Sequence, residues 1–217
     1  MRCLILILIA CLFWGFNAPP KKVKITVKFV HTANGRPLQL ESIYTNPLGE
    51  NYSVSRLKYY VSNFSLFEQN ETEKPRKNIH LINAFENDSI QIETSPGTKI
   101  TASFMLGVDS IYNCSGAQSG ALDPLNGMFW TWNSGYIFFK LEGSSPASTA
   151  DRQRIEHHIG GYAGPNKAMR NITIPVSFYA IENGILKIEM NTDNYWYGHS
   201  TLKISETPTI TAPGEMA

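Results

Sequence analysis

The sequence predicts an all-β fold, a two-sheet antiparallel β-sandwich in a single domain. Three observations support this prediction. Apolar and polar residues alternate over several segments, turn-forming pairs separate those segments, and helical periodicity is scarce. A chain of 217 residues is long enough for one domain with its own core, and neither an internal repeat nor a second domain is evident.

The predicted strands in the first two thirds of the chain differ in their patterns. The first, "VKITVKFVH", alternates strictly, with Val23 and Phe29 on one face and Lys24 and Lys28 on the other. The second, "RLKYYVSNFSLF", is rich in aromatic and β-branched residues, and "KITASFMLGV" alternates again. The segment "GYIFFKL" is apolar on both faces, which is typical of a central strand.

Two further strands are predicted near the end, "RNITIPVSFYA" and "GILKIEMNT". Pro175 indicates that the first of these lies at an edge or carries a bulge, because proline cannot donate to a β-ladder. A short helix is expected at 149–155 and a turn of helix at 53–57. The predicted turns are Asn34-Gly35, Asn46-Pro47, Ser95-Pro96-Gly97 and Asn183-Gly184.

Two loops stand out. The segment "FEQNETEKPRKN" is polar and charged, as expected of a hairpin loop. The segment "NCSGAQSGALDPLNG", residues 113–127, predicts a long irregular loop, and loops of this length in a compact domain are often functional. It leads directly to Trp130 and Trp132, two of the four tryptophans of the chain.

The first twenty residues predict an export signal rather than a part of the fold, which leaves 21–217 as the domain. The apolar run in "MRCLILILIACLFWG" is too short for a stable membrane span. "LIAC" fits the sequence used for lipid attachment, at Cys11, so a lipoprotein and a soluble exported protein both remain open. Both alternatives place the protein outside the cytoplasm, with a lipid on Cys11 as its one expected membrane contact.

Composition excludes some function classes. The formal net charge is +1, and the chain has no basic patch beyond four lysines near residue 25, which argues against binding to nucleic acid. Of the three cysteines, Cys3 and Cys11 lie in the predicted signal, so Cys114 has no partner for an internal disulfide. We expect Cys114 to be a buried thiol rather than a soft metal ligand.

The chain lacks the motifs of common enzymes: no zinc-protease helix motif, nucleophile elbow or phosphate-binding glycine loop is present. Asp109 and Asp123 flank the long loop and could form a carboxylate pair, but capping of turns is the favoured interpretation.

The five histidines carry more information. His31 continues the alternation of the first strand and should point inward, where a neutral imidazole needs a hydrogen-bond partner or a metal. Its position alone favours a hydrogen-bonded core histidine. His157 and His158 are adjacent and face opposite sides of a strand, so only one of them can share a site with His31. His80 and His199 have no distinctive context.

Longer motifs resemble a known family. The segment "GALDPLNGMFWTWNSGYIFFKLEG" followed by "HIGGY" closely resembles the signature of the MbnP-like copper-binding family, and "LKYYVSNFSL", "HLIN" and "LGVDS" resemble further parts of it. The resemblance runs from about Val23 to the C-terminus. It implies an exported β-sandwich protein that is not an enzyme. Such a protein would bind copper, as Cu(I), through histidines and a kynurenine made from tryptophan by a di-haem partner enzyme of the cytochrome c peroxidase type.

Carried over residue by residue, the resemblance implies His158 as the histidine before Ile-Gly-Gly and His31 as the second ligand. Trp130 or Trp132 would be the kynurenine precursor, with Trp132 slightly favoured. The alternation of the strand conflicts with the choice of His158, because it puts His157 in phase with Ile155 and Ile159. A bulge at the glycines would resolve the conflict.

The family pattern continues beyond the Pro-Gly near the end, whereas this chain stops at "TAPGEMA", so we expect a closing element to be missing. Two other functions stay open. The protein could be an exported binding module for a glycan or protein ligand, with the tryptophan pair as an aromatic plug and "DNYWYGHS" as a sugar-binding surface. Alternatively, it could serve as an electron donor to a di-haem partner.

Overall fold

The computed structural model describes residues 22–68, 77–94, 99–131, 134–177, 180–198 and 200–214. The expected export signal and Cys11 lie outside this range. In chain order the strands are β1 (Val23–Ala33), β2 (Arg36–Pro37), β3 (Tyr44–Thr45), β4 (Asn51–Glu68), β5 (Ile79–Asn83), β6 (Ser89–Thr94), β7 (Lys99–Leu106), β8 (Phe129–Thr131), β9 (Gly135–Ser144), β10 (Arg154–Gly160), β11 (Arg170–Ser177), β12 (Ile181–Glu182), β13 (Ile185–Asn191) and β14 (Thr209–Ile210). The short helices are α1 (Ser110–Asn113) and α2 (Asp193–Trp196).

Within the described residues, the strands form two sheets, as the sequence predicts. The pairing is not antiparallel throughout, because β1–β13 and β10–β14 are parallel. The smaller sheet has five strands in the order β12-β13-β1-β2, with β6 also paired to β1. The larger sheet has nine strands and the central order β11-β7-β4-β9-β10-β14. The long strand β4 pairs with β9 over Ser53–Tyr59 and with β7 over Val61–Glu68, so it joins the two halves of this sheet.

The main core lies between the two sheets. Ile25, Val27 and Phe29 alternate along β1 and face inward, where they pack against Tyr59 and Phe104 of the larger sheet. A second cluster at the other end of the sandwich contains Leu57, Leu141, Ile155 and Trp196. We call the side of the larger sheet that packs on these two clusters its inner face, and the opposite side its outer face.

The strand predictions are confirmed, and Pro175 lies in β11 at the edge of the larger sheet, as predicted. The two helix predictions are wrong. Ser53–Leu57 belongs to β4, where ladder pairing with β9 overrides local helical preference. At 149–155, a single 3₁₀ turn covers Asp151–Gln153, and β10 begins at Arg154.

The segment 113–127, predicted as an irregular loop, is largely ordered into tight turns on the outer face. Asp109 caps α1 and Asp123 caps a 3₁₀ turn at Pro124–Asn126, which confirms both as turn caps. The hydroxyl of Tyr60 donates to the carbonyl of Ala121, and that of Tyr136 donates to the carbonyl of Leu122. These bonds attach the segment to the sheet. A third apolar cluster lies between the segment and the sheet.

Cys114 is exposed, so the expectation of a buried thiol is wrong. The neighbouring Asn113 takes the buried position instead. Its side-chain amide donates to the carbonyls of Val108 and Asp109 and accepts from the backbone N–H of Tyr136. The predicted hairpin loop lies mostly outside the described residues, although β4 and β5 on its two sides pair antiparallel as a hairpin requires.

None of the helices in the described ranges is long and apolar enough to cross a membrane.

We predict that Gly143→Ala lowers the free energy of unfolding by about 2–4 kcal/mol, because a Cβ at this position would overlap the carbonyl oxygen of Ser53 in β4. Urea unfolding measures this change. Gly214→Ala is the matched control, since a Cβ there would meet nothing within 4 Å, and it should change stability by less than about 0.5 kcal/mol. Equal stabilities for the two variants would contradict the close β4–β9 packing.

Candidate metal centre

Side-chain alternation along β10 separates the two adjacent histidines. Ile155 and His157 are both fully buried on the inner face, where Ile155 belongs to the second core cluster and His157 contacts Trp196. Glu156 and His158 point to the outer face. The pairing of β10 with β9 does shift register, but between Ile159 and Gly160, beyond both histidines. The shift therefore leaves His157 in phase with the core.

His157 is fully satisfied by hydrogen bonds. Its Nε2 lies 2.8 Å from the carbonyl oxygen of Thr207, and its Nδ1 lies 2.7 Å from the hydroxyl of Tyr195. Because a carbonyl can only accept, Nε2 carries the proton and Nδ1 accepts from the tyrosine. Burial lowers the pKa of His157, which keeps the ring neutral. Both ring nitrogens are occupied, so His157 acts as a core residue.

His31 also faces the interior, as the alternation of β1 predicts. Its Nε2 lies 2.9 Å from the hydroxyl of Tyr59, and it is only 6% exposed. Met190 of β13 lies beside it in the smaller sheet. Burial lowers the pKa of His31 from 6.5 to about 4, against a smaller opposing effect from Asp88. The residue is thus a neutral core histidine with a tyrosine partner.

His158 has a different environment on the outer face. Its Nε2 lies 2.8 Å from one carboxylate oxygen of Glu142 and 3.8 Å from one of Glu156. One ligand atom from each of these three residues lies within 4.8 Å of the other two, which is close enough for a shared metal ion. We call Glu142, Glu156 and His158 the outer cluster. Among the described residues this is the one such group of histidine, cysteine or acidic side chains.

Basic side chains compete for the same carboxylates. Arg56 forms an ion pair with Glu142, and the Nζ of Lys140 lies 3.7 Å from its other oxygen. The hydrogen bond with His158 is the main cause that lowers the pKa of Glu142, helped by the nearby Arg56 and Lys140. Glu142 is therefore ionised and ready to bind a cation, but a metal ion would have to displace at least one of these partners.

Trp130 lies against the same strand on the outer side. It packs on the third apolar cluster with Met128 and Tyr136. Its ring covers Gly160, where a Cβ would come within 2.7 Å of the indole and 2.6 Å of the Tyr136 carbonyl oxygen. Only glycine fits under the ring at this position. The indole Nε1 is buried, and no described group accepts a hydrogen bond from it.

Of the residues predicted from the sequence, His158 and Trp130 lie on the same face of the larger sheet, and His31 does not. His158 and Gly160, the glycine beneath Trp130, are two positions apart on β10. The imidazole of His158 and the indole of Trp130 therefore lie at the same end of the outer face. His31 lies on the other side of the larger sheet, bonded to Tyr59. Trp132 and His199 lie outside the described residues.

Glu142 and Glu156 were missed in the sequence, although two signals for them were present. Glu142 follows Lys140 by two positions at the end of a mostly apolar strand, so the two charges share one face of it. Glu156 precedes His158 by two positions, the spacing that puts two side chains on one face of a strand. What the sequence could not supply is the register that sets Glu156 directly opposite Glu142.

The fold and the cluster together define a β-sandwich protein with a carboxylate–imidazole group on the outer face of its larger sheet. The chain belongs to the MbnP family, whose model matches residues 22–212. Among solved structures it is similar to MbnP from Methylosinus trichosporium, with 16% identity, a TM-score of 0.57, and coverage of 84% of this chain and 80% of that one. No curated protein matches significantly. Family membership and the outer cluster together indicate a metal-related role.

We predict that His31 makes the metal-free protein less stable in acid. Its folded pKa of about 4 lies below the ordinary value of 6.5, so between these pH values the unfolded chain binds a proton that the folded chain does not. The contribution of neutral His31 to the stability of the folded protein is complete above pH 6.5 and is lost as the pH falls toward 4. The upper limit of this loss is roughly 3 kcal/mol.

Urea unfolding of the wild type and of His31→Gln at several pH values between 7 and 4 measures the effect. Because glutamine does not titrate, the stability of the variant should fall less steeply in this window. His80 and His157 also have pKa values lowered by burial and act in the same direction, but they are present in both proteins and cancel in the comparison. Identical slopes for the two proteins would show that His31 titrates normally in the folded state.

Proposed function

We propose that this protein is an exported copper-binding protein, not an enzyme, that holds one copper ion at the outer cluster through His158. The observation that carries the proposal is the cluster itself: an imidazole and two carboxylates have ligand atoms within 4.8 Å of one another. Trp130, whose indole N–H is buried without an acceptor in the described structure, packs over Gly160, two positions after His158 on β10. Membership of the MbnP family supports copper as the metal.

The donor set fits copper in part. Imidazole nitrogen binds copper well, whereas carboxylate oxygens are harder ligands that favour Cu(II) over Cu(I). Cu(I), the state implied by the family resemblance, needs a softer environment than Glu142 and Glu156 alone provide. An additional nitrogen donor near His158 would make the donor set softer.

A kynurenine would provide that donor. An intact indole offers only an N–H donor and cannot ligate a metal. Oxidative cleavage of the C2–C3 bond adds two oxygen atoms and gives N-formylkynurenine, and hydrolysis then releases formate to leave an aryl amine and a ketone carbonyl. We propose Trp130 or Trp132 as the precursor, and the placement of Trp130 over Gly160, near His158, supports Trp130. His31, the second histidine implied by the resemblance, faces the interior and is not included in the proposed centre.

The remaining parts of the proposal concern the setting of the protein. Oxidation of the tryptophan requires an external oxidant, and we propose a di-haem partner enzyme of the cytochrome c peroxidase type. We also propose that the protein is exported to the periplasm or the outer cell surface, either soluble or anchored through a lipid on Cys11. The apolar segment at the N-terminus supports export, and "LIAC" supports the anchor.

We predict that His158→Ala weakens copper binding by about 100-fold or more, because removal of a metal ligand costs more than the 10–100-fold loss typical of its supporting partners. Competition titrations against chelators specific for Cu(I) and for Cu(II) measure the affinity for each state. The controls are His80→Ala, which removes a half-buried histidine outside the cluster, and His31→Gln. Both controls should retain the wild-type affinity.

The opposite pattern would overturn the assignment. If His31→Gln loses copper and His158→Ala keeps it, then the copper lies on the inner face. Circular dichroism and urea unfolding of each variant show whether a loss of binding merely reflects a loss of folding.

A peptide mass map of the protein from its native source, across Gly127–Lys140, tests the modification. We expect a mass shift that corresponds to conversion of tryptophan to kynurenine, localised to Trp130 or Trp132 by fragmentation. An unmodified pair in copper-loaded protein would exclude kynurenine as a ligand and leave His158 with the carboxylates as the donor set.

A further inference from the structure

A second feature of the outer face lies on the β7–β11 half of the larger sheet, lined by residues outside the outer cluster and its partners. It is a groove of about 670 Å³, which falls within the range of about 300–1,000 Å³ typical of small-molecule sites. Its floor is formed by β7 and β11, where Ser103 pairs with Thr173 and Met105 pairs with Asn171. Tyr112 and Ile111 of α1 form one wall. We call this feature the β7–β11 groove.

Polar side chains in the groove have free hydrogen-bonding capacity. The carboxamides of Asn63 and Asn171 and the hydroxyls of Ser103 and Thr173 all line it, and none of them makes a hydrogen bond to another described residue. Ser103 is 8% exposed and Asn63 is half-buried, whereas Asn171 and Thr173 are exposed. The four side chains therefore offer uncommitted donors and acceptors along the groove, which a bound ligand can use.

The backbone of Asn63 is held in an uncommon conformation at this place. Its φ of 57° is left-handed, in the middle of β4, where the pairing with β7 shifts register between Ser62 and Ser65. Bulges of this kind re-aim side chains, and they are frequent next to binding sites. The neighbouring Phe64 remains fully buried in the core, whereas Asn63 lines the groove.

The chemistry of the groove indicates a neutral ligand. Its charged lining groups are one lysine, Lys77, and one aspartate, Asp109, and the carboxylate of Asp109 is already engaged as the cap of α1. Amides and hydroxyls can both donate and accept, which matches the hydroxyl groups of a sugar. Tyr112 and the 65% exposed Ile111 add apolar surface that can cover the C–H face of a sugar ring.

We propose that the β7–β11 groove binds a short neutral oligosaccharide, with Asn63 and Asn171 as its main hydrogen-bonding residues. This inference is independent of copper, because the groove shares no residue with the outer cluster. A neutral saccharide would be recognised through the uncommitted amides and hydroxyls on the sheet, and through contact of a ring with Tyr112.

The test is an NMR titration of the ¹⁵N-labelled, metal-free protein with maltotriose, cellotriose and triacetylchitotriose in the presence of EDTA. We expect at least one of them to shift the amide signals of β7, β11 and α1. Asn63→Gly removes the carboxamide while keeping the left-handed backbone accessible, and Asn171→Ala truncates a residue on an edge strand. Each should weaken binding about five- to tenfold, the loss expected for one hydrogen bond to the ligand.

Asn194→Ala is the matched control, since Asn194 is an exposed asparagine in the aromatic segment 193–200, the other surface that could bind a sugar. Unchanged affinity for this variant supports the groove. If Asn194→Ala weakens binding while the groove variants do not, the sugar binds at 193–200 and the proposal is wrong. The proposal is also overturned if none of the three saccharides shifts any signal, or if only a neutral Ala-Ser-Gly-Ser-Ala peptide with blocked ends does so. None of these outcomes bears on copper binding.

Discussion

The strict alternation of side chains along β10 is the constraint on which the arrangement of this protein depends. β10 lies between the core on one side and the outer surface of the larger sheet on the other. Two consecutive histidines in such a strand cannot share an environment. His157 is drawn into the core, where Tyr195 and Thr207 satisfy both ring nitrogens, and His158 is left on the outer face with two carboxylates. The division between a structural and a chemical histidine follows from strand geometry alone.

The segment 113–131 folds onto the outer face and brings Trp130 to it. Hydrogen bonds from Tyr60 and Tyr136 hold this segment against the sheet. Lys140 donates to the carbonyl of Gly127 at 2.5 Å and so fixes the turn that precedes β8. β8 then places Trp130 over Gly160, where the indole is partly removed from water. A segment rich in small residues and turns thus positions an aromatic side chain near a metal-ligating group, and the packing of the loop is a condition of the proposed function.

Much of the fold could be predicted from the sequence, because period-two patterns are local and survive in the structure. The alternation of β1 correctly predicted an inward-facing His31, and Pro175 correctly predicted an edge strand. The helical turn expected at Ser53–Leu57 failed because the pairing partner of this segment, β9, lies some ninety residues away. Local propensity has no access to such a partner.

The candidate site was harder to predict for the same reason. The motif that contains Trp130 and His158 was visible in the sequence, but the location of these two residues on one face of one sheet was not. The register between β9 and β10 brings Glu142 opposite Glu156, and only this register adds the carboxylates to the histidine. The alternation of β1 predicted that His31 faces the interior, but the sequence did not show that the larger sheet would separate it from His158. Long-range strand pairing therefore decides which of the candidate ligands can meet.

The most direct test of this account is the location of copper in crystals of the copper-loaded protein, by anomalous diffraction at the copper absorption edge. We expect a peak on the outer face, within bonding distance of the imidazole of His158 and next to Glu142. A peak between the sheets, bonded to His31 or His157, would contradict it, because the buried histidines would then be the ligands and the outer cluster an ordinary network of ion pairs.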